Sequence, residues 1–362
     1  MERDENDSVP KPHFLKGILH FDLSTADRYE EEYKKLVKRL YGVETYVKPQ
    51  LGNTPRWVTE DTPITGSKRT AIQNLKRSNN PRSARLEFID LLNGVKSKVL
   101  AFDSQESNYV LLYEEMLPIR EEYLQIIKAS SLIEDNATLL GDFFQEMYSG
   151  INLNSIPLQD IKQVYLHEIF VYTIAIKAKG RDYDSLSYIL NRSYFGNRYG
   201  SSMQEIGFGI FYHYSPQLDN AKNNKDNKNY NSGTAKQWID NLATDYCNKR
   251  EFAFADVLLC NYAFFGSNYG SRYPWFPLTY LYDSENNSIL QDVACQLRSK
   301  EIALRWAKIF GFDDCEQFRN KIVASLNEMN TKSWKRPRYP MSFYDVQLIS
   351  DFIMPEEIGT LR

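Results

Sequence analysis

A chain of 362 residues with 42% hydrophobic and 25% charged residues can bury a sizeable core, as two modules or one large one, which excludes general disorder. A net charge of −3 builds in no long-range pull toward nucleic acid, and the four cysteines (Cys247, Cys260, Cys295, Cys315) fit neither a zinc site nor a small disulfide scaffold. No apolar run nears the roughly 18 residues of a membrane span, and the polar, acidic start Met1-Glu-Arg-Asp-Glu-Asn does not read as a signal peptide. The expectation is a soluble cytoplasmic protein with reduced, mostly buried thiols and no membrane partner. The 25 Tyr and 20 Phe read first as a Tyr-rich core and rim, and second as a broad contact surface.

In chain order, Gly17-Ile-Leu-His-Phe-Asp22 is a short β-type run. Ser24 or Thr25 can cap a following helix, in which Tyr29, Tyr33, Leu36, Val37 and Leu40 recur at helical spacing, opposite a charged face, until Gly42. One strand and one helix cannot bury their apolar faces alone. The series Leu15-Lys-Gly-Ile-Leu-His-Phe-Asp22, Tyr29-Glu-Glu-Glu-Tyr-Lys-Lys-Leu36 and Lys48-Pro-Gln-Leu-Gly-Asn-Thr-Pro55 resembles the C-terminal end of bacterial TIR domains, including the related SEFIR group. The resemblance covers about sixty residues. It implies the last strand and last helix of a flavodoxin-like domain whose earlier strands and catalytic Glu lie upstream of Met1. In many bacterial members of the family the complete domain cleaves NAD or a related nucleotide. No residue here matches the family's catalytic positions, so no catalytic role and no cofactor is carried over.

Residues 1–60 are thus expected to be a TIR-like fragment, 61–84 a basic linker, and 85–362 a mostly helical module with minor β structure. The linker carries Thr62-Pro63 and Asn79-Asn-Pro81 as turn signals and, from Thr62 to Leu86, six basic residues without an acidic one. That run reads as solvated, with a phosphate-facing strip as its sharper alternative. Helices are expected from 85, over 110–129 with a kink or break at Pro118, and over 132–148, 161–178 and 182–190. The segment 164–176 is apolar nearly all round, which marks a central core helix, although its β-branched residues leave a strand open. The segment 206–214 alternates partly and carries glycines, so it reads as a strand or an irregular aromatic stretch. Residues 219–233 (DNAKNNKDNKNYNSG) are Asn/Lys-rich and nearly free of apolar residues, and are expected to be a mobile surface loop. Ser232 or Thr234 can start the next helix, and 252–265 reads as a second buried helix. After a Gly/Pro/aromatic loop, 278–282 leads into helices near 289–298, 302–310, 315–329 and 343–352.

Candidate chemistry is sparse. His167-Glu168 lacks the second His of a zinc-protease helix, since position 171 is Val, so His167 reads as a satisfied core histidine. Gly207-Phe-Gly209 is no dinucleotide fingerprint, and no phosphate loop, nucleophile elbow or calcium loop is present in the sequence. The best site is the loop Tyr269-Gly-Ser-Arg-Tyr-Pro-Trp-Phe-Pro277, where Arg272 offers a planar donor fork and Tyr273, Trp275 and Phe276 offer stacking faces. Its structural alternative is a rigid aromatic plug over the core. Lys335, Arg336 and Arg338 form a second basic-aromatic run, suited to phosphates, to an acidic partner or simply to solvent. The resemblance implies a bacterial anti-phage immune protein. In it, this chain is the sensing or regulatory portion, binding a protein partner or phage component and controlling TIR assembly, with homo-oligomers compatible and nucleic acid disfavoured. The alternative is a nucleotide-binding or nucleotide-processing domain built on Arg272 and Trp275.

Overall fold

The computed structural model describes residues 26–40, 80–151, 156–196, 203–267, 275–279, 286–331 and 348–361. The chain divides into two compact units, 1–62 and 63–362. In the first, helix α1 (Ala26–Leu40) falls where the apolar spacing places a helix, while its expected caps Ser24 and Thr25 lie outside the described residues. Tyr29 and Tyr33, one turn apart, are exposed and stacked on each other at 5.7 Å between ring centres. Glu32 pairs with Lys35 at 2.9 Å. The expected strand at 17–22 and the tail at 48–55 lie outside the described residues.

The second unit is mainly α, as expected. Its first described helix, α2 (Pro81–Ala101), starts four residues before the expected 85. The Asn80-Pro81 pair reads as a turn in sequence but here begins the helix. The Asn80 side chain accepts from the Arg82 and Ser83 amides, and Pro81 fills the first helical position, where a missing N–H does no harm. Asn108 caps α3 (Tyr109–Ala129), which continues through Pro118 as one helix rather than splitting. Burial of Met116, Arg120 and Tyr123 around the proline anchors both halves to the same core. There follow α4 (Asn136–Gly150), α5 (Ile156–Lys179) and α6 (Tyr183–Asn191), the last capped by Asp182.

Helix α5 is the centre of the unit. Every residue from 164 to 175 is buried, including His167, Glu168 and Thr173. Packing on all sides explains why its β-branched residues form a helix: tertiary contacts outweigh a weak local preference. Helix α3 and helix α9 (Lys249–Phe265) pack against α5, and α2 and α4 pack on each other and around α3 and α5. Helices α10 (Asn286–Leu297), α11 (Lys300–Ile309) and α12 (Cys315–Thr331) form the remaining side, with α11 against α6 and α12 against α9.

Of the two readings of segment 206–214, it is the irregular aromatic stretch and not a strand: Gly207 takes a φ of 83° and leads into a 3-10 turn, Phe208–Phe211, whose aromatic rings are buried. The strands among the described residues are β1 (Phe195–Gly196) and β2 (Gln204–Glu205), paired antiparallel. The Asn/Lys-rich stretch 219–233 is no mobile loop either. It is most of helix α7 (Pro216–Asp226) and the entry to α8 (Gly233–Asp240). Its polar groups bond to one another and to residues just outside the stretch. The Asp219 carboxylate accepts from the Thr234 amide at 2.6 Å, the Thr234 hydroxyl at 2.7 Å and the Tyr214 hydroxyl at 2.8 Å. Buried Lys222 bridges Asp226 at 3.0 Å and Asp240 at 2.8 Å. Ser232 caps α8, one of the two starts the sequence allows.

The last expected helix, 343–352, is described only from 348, where the chain forms a 3-10 turn at Ile349–Asp351. The C-terminal residues then lie along the α10–α11 corner: the Gly359 and Leu361 amides donate to the Leu297 and Arg298 carbonyls, both at 2.8 Å. No described helix is long and apolar enough to cross a membrane.

Candidate functional site: a cleft between helices α5, α6, α9, α10 and α11

The loop favoured by sequence is, in its described part, core. Trp275 is fully buried among His167, Phe170, Phe208 and Tyr212, with ring centres 4.6–5.8 Å away, and Phe276 is buried too. The Trp275 indole N–H donates to Asp256 Oδ1 at 2.7 Å. The Thr279 amide and hydroxyl donate to Oδ2 at 2.9 and 2.8 Å. Thus Asp256 on α9 ties down the returning chain, and Trp275 acts as a plug rather than an open stacking face. Burial pushes the Asp256 carboxyl up to about 6, against the pull of its three hydrogen bonds. Arg272, Tyr273, Lys335, Arg336 and Arg338 lie outside the described residues.

The His167-Glu168 pair is structural. His167 Nδ1 lies 2.8 Å from the His213 carbonyl, and its ring meets Tyr212, Trp238 and Trp275. Glu168 Oε1 accepts from the Arg120 guanidinium at 2.7 Å and the Tyr113 hydroxyl at 2.8 Å. Arg120 also donates to the Asn241 carbonyl at 2.7 Å and lies over the Tyr172 ring. This buried ion pair joins α3, α5 and the end of α8. Burial pushes the Glu168 carboxyl up, and Arg120 offsets part of that rise. Burial opposes the guanidinium's charge as well, but the Glu168 carboxylate holds Arg120 well above its ordinary range.

A second polar cluster, not foreseen from sequence, joins Asp160, His213 and Ser215. His213 Nε2 lies 2.6 Å from Asp160 Oδ1, and the Ser215 hydroxyl donates to Oδ2. The order is wrong for nucleophile activation, because the carboxylate rather than the imidazole stands next to the serine. Ser215 Oγ also caps α7, accepting from the Leu218 amide at 3.0 Å. Among the described residues, no group of three His, Cys, Asp or Glu side chains could hold a metal. All four cysteines are free. Cys247 and Cys260 are buried as expected, whereas Cys295 is exposed and Cys315 half-buried. Burial pushes the Cys247 thiol up to about 12 and the Cys260 thiol well above its usual range, so both are unreactive.

Among the described residues of the helical unit, a cleft of about 290 Å³ opens between helices. Leu186 of α6, Phe254 and Leu258 of α9, Val293 of α10, and Trp306 and Ile309 of α11 form its apolar lining. Its rim is charged. Lys179, at the end of α5, pairs with Glu251 at 2.9 Å, and Arg250 pairs with Asp292 at 2.5 Å. Tyr183 completes the rim, with the Arg305 guanidinium 5.7 Å from its ring centre. Glu251 is held in place by a capping box at the start of α9: its carboxylate accepts from the Asn248 amide at 2.8 Å, while Asn248 Oδ1 accepts from the Glu251 amide at 2.9 Å. An apolar floor under a few convergent polar groups is the usual form of a small-ligand site. In the sequence this cleft is marked locally by no more than the Asn248-Lys-Arg-Glu251 helix start, because its walls come from segments spread between residues 175 and 309.

Comparison with protein-family models, curated proteins and solved structures gave no match for this chain.

Proposed function

We propose that the chain is the sensing or regulatory part of a bacterial TIR-type immune protein. In this reading the helical unit receives an infection-derived partner or ligand at the α5–α11 cleft, and occupancy controls assembly of the TIR domains. The cleft carries the reading: it combines an apolar floor with a charged rim on a helical body with a large buried core. The resemblance of residues 15–55 to the end of a flavodoxin-like TIR domain, and the division of the chain at residue 62, support a two-part effector-and-sensor arrangement. The alternative nucleotide site at Arg272 and Trp275 has less support, because the Trp275 ring is enclosed and its N–H is taken by Asp256.

The test uses the gene with its native flanking sequence in a bacterial host challenged with phage. Val293→Trp, which fills the cleft, is expected to abolish the response, read as loss of cellular NAD and growth arrest, at unchanged protein abundance. An intact response with a filled cleft would remove the cleft as the input. Indifference of phage growth to deletion of the gene would remove the immune reading. The purified chain, incubated with NAD, is expected to release no nicotinamide, and steady turnover would refute a purely regulatory role.

A further inference from the structure

The same cleft has a chemistry that narrows its ligand, and this step deepens the reading above. At about 290 Å³ it has room for about ten waters at ~30 Å³ each. That accommodates one amino acid. The floor is aliphatic and aromatic, with Trp306 packed edge-on to Phe254 and offering a wall for a flat group.

The rim is balanced in charge. It presents two cations, Lys179 and Arg250, and two carboxylates, Glu251 and Asp292. Their side chains are 48%, 41%, 29% and 62% exposed, so both ion pairs are of the weak, solvent-screened kind and exchange partners at little loss. A ligand with a single negative charge meets both carboxylates, and one with a single positive charge meets both cations. A ligand that carries both charges close together can pair with each sign. Glu251, fixed by its capping box, offers an ammonium a stationary acceptor, and Arg250 offers a carboxylate its planar fork.

We propose that the α5–α11 cleft binds a small zwitterion with one large apolar group, of the class of a free aromatic α-amino acid. The apolar group lies against Leu258, Val293 and Trp306, and the ammonium and carboxylate lie at the rim.

Calorimetric titration of the full chain with L-tryptophan, L-phenylalanine, 3-indolepropionate and tryptamine tests this. The two amino acids are expected to bind, and the two singly charged analogues to bind about tenfold more weakly or less, a ratio set by one lost charged contact. Arg250→Gln is expected to weaken the amino acids and indolepropionate while sparing tryptamine. Glu251→Gln, which keeps the cap hydrogen bond, should weaken the amino acids and tryptamine while sparing indolepropionate. Both rim substitutions are at partly exposed positions and leave the core intact, so they remain informative should Val293→Trp fail to fold. Equal binding of an analogue lacking one charge, indifference to both rim variants, or no heat from either amino acid at millimolar concentration would overturn the assignment. Should the amino acids fail while Val293→Trp still abolishes the phage response, the ligand class is wrong and the recognition reading stands.

Discussion

Asp256 should make the stability of the helical unit depend on pH in a direction opposite to that of a salt-bridged carboxylate. Its carboxyl is fully buried and meets three donors, Trp275 Nε1, the Thr279 amide and the Thr279 hydroxyl. Burial raises its pKa from 3.8 to about 6. The folded state therefore holds the proton more tightly than the unfolded chain. The resulting stabilisation is complete below the unfolded value and is lost as pH rises through about 6. The full difference is about 3 kcal/mol, of which roughly 1.4 kcal/mol falls between about pH 5 and about pH 7.5. Asp256→Asn removes the titration while keeping the shape. Its amide also points a donor at a donor, since at least two of the three partners are N–H groups, so it should be less stable than the parent by about 1–3 kcal/mol under conditions where the parent carboxylate is charged. Urea unfolding followed by tryptophan fluorescence, at both pH values, measures the two effects separately. On acidification the parent should gain about 1.4 kcal/mol more than the variant does. Identical pH dependence in the two proteins would show that Asp256 is not buried as a carboxyl, and with it the plug assignment of Trp275 would fail.

The buried Arg120–Glu168 pair should behave asymmetrically. Arg120→Met or Glu168→Met alone should each destabilise by about 3–5 kcal/mol, and the double substitution by much less than their sum, because each single change strands a buried charge. Additive losses in the double-mutant cycle would contradict that coupling. Gly233→Ala should lower stability by about 1–3 kcal/mol, since an added Cβ would lie 2.6 Å from the Asp219 carbonyl oxygen and force α7 and α8 apart. An unchanged melting temperature would mean that the two helices are not so close. Under native conditions a thiol reagent should modify Cys295 first and Cys315 more slowly, with Cys247 and Cys260 reacting only after denaturation. Four equally fast thiols would rule out the burial of the last two.

Much of the helical unit is legible in the sequence because helix periodicity is local. The apolar run 164–176 has no polar face, and it became the buried centre, α5. Polar positions were read less well. Asn80-Pro81 carries the same residue types for a turn and for a capped helix start, and only the following chain distinguishes them. The glycines at 207 and 209 leave both a strand and an irregular aromatic stretch open in sequence, and Gly207 supplies a left-handed bend into a buried 3-10 turn.

The sequence alone therefore determined the mainly helical class of residues 81–331, the course of most helices and the core position of α5. Those follow from propensity, caps and the spacing of apolar side chains, all of which act within a few residues. Tertiary structure alone decided what the polar and aromatic groups do. The Asn/Lys-rich stretch 219–233 is ordered because Asp219 and Lys222 find Thr234, Tyr214 and Asp240 rather than water. Trp275 is a plug because Asp256, nineteen residues earlier, is buried beside it. The cleft exists because five helices leave one gap between them, and its ion pairs join Lys179 to Glu251 and Arg250 to Asp292 across long stretches of chain. A polar side chain bonds equally well to water or to a protein partner, and which it meets is fixed by how distant segments pack.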